Sequence, residues 1–134
     1  MDKIIDNLPV QITYTGETFR SDWGSKGSTV DQWRIALTSK AGYWSTDYFT
    51  GTGLRKKNRP IKPSVRSVME SLLLDAYAAD CNFSDWCDEF GYSDDSINAL
   101  NIYKKCLEIG TALRKHIGRD TLAQVKAIIE QENL

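Results

Sequence analysis

A thiol beside an imidazole makes a nucleophile, and this chain supplies three cysteines, Cys81, Cys87 and Cys106, with a single histidine, His116. If Cys106 and His116 share one helix, their ten-residue spacing puts them ~15 Å apart along its axis, too far for proton transfer. That distance also excludes them as joint ligands of one zinc, and the cysteines lack the paired spacing of zinc modules. They read as buried structural thiols, which behave as small hydrophobes. Asp80, Asp85, Asp88, Glu89, Asp94 and Asp95 could pair for acid–base work or hold a cation. Their order does not match a calcium loop, and several sit at expected helix starts, where negative charge is stabilising without a ligand. Gly24-Ser25-Lys26-Gly27-Ser28-Thr29 has the composition of a phosphate loop but not its order, and Gly51-Thr52-Gly53 is too short for a dinucleotide fingerprint. Both read as turns. No catalytic set, metal or cofactor is implied.

What stands out is sorted charge. Thr50 to Pro63 carries Arg55, Lys56, Lys57, Arg59 and Lys62 and no carboxylate, whereas Glu70 to Asp95 is rich in Asp and Glu with no Lys or Arg. The net charge of the whole chain is only -1, so the polarity is local, and local charge governs contact. The five cations are candidates for gripping phosphates or an acidic protein surface. Tyr43, Trp44 and Tyr48 just upstream are candidates for stacking on bases. Asp85, Asp88, Glu89, Asp94 and Asp95 form a second, acidic candidate patch able to mimic nucleic-acid charge. Pro60 and Pro63 stiffen the basic segment and lower the entropy lost on docking.

These residues are positioned by two kinds of periodicity. Leu8 to Thr15 alternates Val10, Ile12 and Tyr14 with polar residues, as a half-buried strand does. Phe19 to Thr29 is punctuated by glycine and serine and is expected to be a loop. A second strand runs through Trp33, Ile35 and Leu37. After a turn at Ser39-Lys40-Ala41-Gly42, an aromatic third strand holds Tyr43, Trp44, Tyr48 and Phe49. From Ser64, which can cap the first turn, the period becomes helical through Val65, Val68, Met69, Leu72, Leu73 and Ala76. A short helix capped by Ser84 and ended by Gly91 follows. Next comes a long one capped by Ser93, with a stripe from Ile97 through Leu100, Tyr103, Cys106, Ile109 and Leu113 to Ile117. Gly118 is the expected stop, and a last helix begins near Asp120.

Strands followed by helices predict an α+β fold: a three-stranded, mostly antiparallel sheet packed by a C-terminal layer of three to four helices. The expected organisation is a single domain over 1–134, with a sheet part (1–50), a basic linker (51–63) and a helical part (64–134). A length of 134 residues suits one core. No apolar run approaches ~20 residues, so no membrane partner is expected. The absence of a signal-peptide pattern and the odd cysteine count point to a reduced intracellular compartment.

Tyr48-Phe49-Thr50-Gly51-Thr52-Gly53-Leu54-Arg55, Pro63-Ser64 opening a helix through Leu72-Leu73-Leu74-Asp75-Ala76, and Phe83-Ser84-Asp85-Trp86-Cys87-Asp88-Glu89-Phe90-Gly91-Tyr92 form an ordered series. With Asp95-Ser96-Ile97-Asn98-Ala99-Leu100, Tyr103 and Cys106, it resembles a widespread group of small phage and prophage proteins. Leu54 stands where that group often has a histidine, so no essential histidine is expected there. The resemblance implies a phage origin and the cytoplasm of a bacterial host, and transfers no activity. Together with the missing catalytic set, it leads to the expectation of a stoichiometric inhibitor. Its target would be a host protein or ribonucleoprotein, such as a CRISPR or other defence effector. The alternative is a phage accessory protein that binds DNA or RNA through the basic linker and sheet aromatics.

Overall fold

The alternating segments pair as a three-stranded antiparallel sheet, and the 3.6-period segments are helices. A computed structural model describes residues 3–21 and 28–132. A short helix α1 (Lys3–Asp6) leads into β1 (Val10–Ser21), β2 (Ser28–Ser39) and β3 (Gly42–Gly51), in the spatial order β1-β2-β3. A 3-10 turn (Thr52–Leu54) precedes a miniature hairpin of β4 (Arg55–Lys56) and β5 (Arg59–Pro60). Then come α2 (Val65–Ala78), α3 (Phe83–Phe90), α4 (Ile97–His116) and α5 (Arg119–Glu132). The fold class is α+β. By its internal contacts the chain divides into two compact units, Met1–Val68 and Met69–Leu134.

In the first unit, pairing makes one sheet face apolar. Val10, Leu37 and Trp44 share a row across the strands, as do Ile12, Ile35 and Thr46, and then Tyr14, Trp33 and Tyr48. Ile35 and Leu37 have no solvent contact, and Ile12 and Trp33 are buried. The expected loop from Phe19 is instead strand as far as Ser21, and β2 begins at Ser28. Residues 22–27, with most of the Gly24–Thr29 segment, lie outside the described residues. The strand outlasts its alternation because of a bulge. Between the pairs Tyr14↔Trp33 and Thr18↔Asp31, β1 advances four positions against two in β2. Gly16 absorbs the excess at φ +83, a left-handed value that side chains disfavour. Because the excess is two residues, Thr18 returns to the same face as Tyr14. Thr15 closes the bulge by donating to the Gln32 carbonyl at 3.2 Å.

The second unit shows where cap residues had to be corrected. Ser64, near the end of the first unit, caps α2 as expected, accepting from the Ser67 N–H at 3.1 Å. For α3 the cap is Asn82 rather than Ser84: its Oδ1 accepts from the Asp85 N–H at 2.8 Å. For α4 it is Ser96 rather than Ser93, accepting from Ala99, while Ser93 donates to the Asp95 carboxylate. In both places several cap-competent residues stand together, and the winner is the one in extended backbone three positions before a helical N–H. Gly91 ends α3 in the left-handed conformation, with its N–H on the Cys87 carbonyl. Trp86, Cys87 and Ala99 are buried together, with Phe83 and Tyr103 packed against them. Tyr92 stacks on Trp86 with centroids 5.1 Å apart, and the Tyr103 hydroxyl donates to the Cys81 carbonyl. Among the expected apolar positions of α4, Cys106, Ile109 and Leu113 are buried, whereas Ile97 is 77% exposed at the helix start.

Caps give a direct check. Asn82→Ala is expected to lower stability by about 1 kcal/mol, whereas Ser84→Ala on the exposed face of α3 changes it by less than about 0.5 kcal/mol. Urea denaturation followed by far-ultraviolet circular dichroism measures both. Equal losses would restore Ser84 as the cap.

Candidate partner-binding surface

The basic segment is built onto the sheet by a buried carboxylate. Asp31 lies on the apolar face of β2, in the row after Trp33, and has no solvent exposure. A charge there must find donors. It receives them from three parts of the chain. The Tyr14 hydroxyl donates to Oδ1 at 3.2 Å and Thr18 Oγ1 to the same oxygen at 3.0 Å, both from β1 on the two sides of the bulge. Arg55, the first residue of β4, grips the carboxylate with both arms of its fork: Nε to Oδ2 at 3.0 Å and Nη2 to Oδ1 at 2.6 Å. Nη2 also reaches Thr18 Oγ1 at 3.2 Å. The Arg55 guanidinium foremost, then the Thr18 and Tyr14 hydroxyls, hold the Asp31 carboxyl below its ordinary value against the opposing pull of burial. Asp31 in turn raises the pKa of Arg55.

The Thr50–Arg55 run delivers that arginine. Thr50 Oγ1 accepts the Trp33 indole N–H at 2.8 Å, and the Thr29 and Thr52 hydroxyls are bonded at 2.9 Å. The 3-10 turn reverses the chain, and the Arg55 N–H closes it on the Thr52 carbonyl. Beyond Arg55 the hairpin pairs Lys56 with Arg59 and Arg55 with Pro60. At its tip Lys57 and Asn58 are both left-handed, with φ 54 and 62, as in a type I′ turn. Asn tolerates that conformation; Lys adopts it at a cost of about 1 kcal/mol. Pro60 fits an edge that needs no N–H.

The expected site residues are therefore separated by role. Lys56, Lys57, Arg59 and Lys62 are exposed and form no ion pair among the described residues. Arg55 is turned inward to Asp31. The aromatics are divided by the register: Tyr43 stands on the outer face, 63% exposed, while Trp44 and Tyr48 point to the apolar face and are half-buried. Two outer-face aromatics that alternation did not single out, Phe19 and Phe49, meet edge to face with centroids 6.4 Å apart, 45% and 50% exposed. In the second unit Asp85, Asp88 and Glu89 lie exposed along α3, and Asp94 and Asp95 lie exposed between α3 and α4. Cys106 and His116 occupy one helix, ten residues apart. Burial, reinforced by nearby carboxylates, pushes the Cys81, Cys87 and Cys106 thiols up, away from the nucleophilic thiolate. Among the described residues no group of three His, Cys, Asp or Glu is placed to hold a metal, and no helix is long and apolar enough to cross a membrane.

Asp31, which anchors the candidate surface, is not among the candidates that the sequence pattern offers. Its signal is the alternation itself, since position 31 continues the inward series of Trp33, Ile35 and Leu37. A carboxylate in that series requires a cation from elsewhere. Comparison with protein families, curated proteins and solved structures finds no match for the chain.

The ion pair sets two expectations. Arg55→Met, which strands the buried carboxylate, destabilises the fold more at pH 7 than Asp31→Asn/Arg55→Met, which removes both charges. Because folding lowers the Asp31 pKa below its ordinary 3.8, the stabilisation is fully present above that value. It is lost as pH falls through the folded value, and the double variant lacks this acid-dependent loss. Denaturant titrations from neutral to acid pH test both; equal stability of the single and double variants would show that the pair does not anchor the segment.

Proposed function

We propose that this chain is a small, non-catalytic binding protein whose contact surface is the β4–β5 hairpin. The observation that carries this reading is the Arg55–Asp31 anchor. It holds a two-residue turn so that Lys56, Lys57 and Arg59 stand in solvent on a fixed frame. Long cationic side chains on a pre-positioned backbone lose less entropy on docking than the same side chains on a coil, and they suit a polyanionic surface. The left-handed Lys57 supports the same reading, because strain tolerated at an exposed tip is a recurrent property of recognition sites.

The resemblance to small phage proteins makes a macromolecule of a bacterial host the partner. In this reading the protein works in that host's cytoplasm and inhibits by stoichiometric occupation. The target is an acidic surface on a host protein or a ribonucleoprotein, such as a CRISPR or other defence effector. A second reading, direct binding of DNA or RNA, is favoured by the exposed Phe19 and Phe49 on the outer face of the same unit's sheet. Aromatic faces there could receive bases while the hairpin holds phosphates.

Capture from host lysate with a tagged chain, with and without nuclease, separates the two. A protein partner retained after nuclease supports the inhibitor; recovery of nucleic acid alone supports the second reading. Lys56→Ala/Lys57→Ala/Arg59→Ala is expected to abolish capture while leaving the melting temperature within a few degrees, since none of the three is buried. Lys57→Gly should act in opposite directions: about 1 kcal/mol more stable, because glycine accepts the left-handed backbone, yet weaker in capture. A stabilised variant with unchanged capture would remove the tip from the site.

A further inference from the structure

The unit Met69–Leu134 holds an open cavity of about 610 Å³ between α2, α4 and α5. Its size is that of a small-molecule site. Leu113 and Ile129 form a buried floor, and Leu73 and Leu122 stand half-buried beside them. The charges around this apolar centre are unequally engaged. The Lys126 ammonium lies 4.9 Å over the Tyr77 ring and 3.9 Å from Glu130 Oε1. Glu70 also has an interaction partner. By contrast, Arg114 and Arg119 form no ion pair among the described residues, and Asp80 is the only lining carboxylate left to set against them. The lining holds three cations and three carboxylates, and Arg114 and Arg119 are its cations without an ion pair among the described residues.

Arg114 is placed by a glycine. A Cβ at Gly110 would lie 3.3 Å from Arg114 Nη1 and 3.5 Å from the Ala76 methyl of α2. The guanidinium thus folds back along α4 over the bare backbone of Gly110, at the wall of the cavity. Glycine is disfavoured inside a helix, and here its missing side chain is the space in which a cation and an apolar wall meet.

We propose that this cavity binds an amphipathic anion, an unbranched apolar chain ending in a carboxylate. The carboxylate accepts from the Arg114 guanidinium, whose planar donors suit that geometry. The chain lies over Leu73, Leu113, Leu122 and Ile129. The proposal concerns the helical unit and is independent of the hairpin.

Decanoate and 1-decanol, used below their aggregation concentrations, distinguish a head-group site from a greasy surface. Calorimetric titration of the whole protein is expected to give one decanoate per chain, and 1-decanol about tenfold weaker, the scale of one charge-assisted hydrogen bond. Methyl spectra should shift at Leu73, Leu113, Leu122 and Ile129. Arg114→Gln should bring decanoate affinity to that of the alcohol, and Gly110→Ala, which displaces the guanidinium, should lower it in part. Thermal melts check that both variants are folded, while the acid–alcohol comparison rests on the unaltered protein. No binding of decanoate, equal affinity for acid and alcohol, shifts confined to other methyls, or full decanoate affinity in folded Arg114→Gln would each overturn the site.

Discussion

The buried carboxylate of Asp31 is the constraint to which the first unit is built. An ionised aspartate without solvent contact is unfavourable unless its oxygens are filled, and no single strand can fill them. β1 must therefore bring Tyr14 and Thr18 to one point although its run is four residues long there against two in β2, which is what the bulge at Gly16 accomplishes. The chain leaving β3 must turn back at once to insert Arg55, which is what the 3-10 turn accomplishes. A well-packed apolar pair would hold the sheet as firmly, since buried ion pairs contribute little net stability. What the charged pair adds is a unique path. Only an arginine at position 55 satisfies both carboxylate oxygens, so the segment after the sheet has one place to go.

That path gives the basic block a division of labour. One of its cations belongs to the fold; Lys56, Lys57, Arg59 and Lys62 belong to the solvent. Because Arg55 and Lys56 are adjacent and β4 alternates, an inward arginine sets an outward lysine. The anchor and the exposed charge are thus the two faces of one short strand. Segregated charge in a chain of net charge -1 follows from this arrangement. A carboxylate in the hairpin would compete with Asp31 for Arg55 or neutralise the cations beside it.

The elements were legible where burial obeys a local period. Ile12, Trp33, Ile35 and Leu37 alternate because one sheet face is buried, and Val68, Met69 and Leu72 recur at helical steps for the same reason. Legibility failed where a local signal was shared or a distant partner decided. Asn82 and Ser84, and Ser93 and Ser96, compete as caps within a few residues, and only backbone conformation chooses between them. Phe19 was hidden because the apolar alternation of β1 ends at Tyr14, although the two-residue excess of the bulge keeps the parity of the strand. Tyr43, Trp44 and Tyr48 looked like one platform because composition does not record parity, whereas the register puts Tyr43 opposite to the other two. The Asp31–Arg55 contact spans twenty-four positions, beyond any periodic signal, although an aspartate in an apolar series announces that some such partner exists.

The same distinction applies to the sequence motifs between Tyr48 and Cys106. Thr50 receives the Trp33 indole and Arg55 closes on Asp31. Trp86 and Cys87 form the interior of the α3–α4 pair, Gly91 ends α3, and Tyr92 and Tyr103 pack on Trp86. Each of these residues has a structural task that its type alone performs well. Lys56, Lys57, Arg59 and Lys62 fall between the motifs, and the cavity residues Gly110 and Arg114 fall beyond the last of them. These motif residues thus specify a frame, and a frame does not specify a partner. A protein with the same Thr-Gly-Thr-Gly-Leu-Arg turn and a different hairpin tip would keep the anchor, position its tip in the same way and present different chemistry there. Partner choice in such a scaffold resides in residues that the fold leaves unconstrained, which is why the anchor is the firmer landmark and the exposed cations the more informative place to mutate.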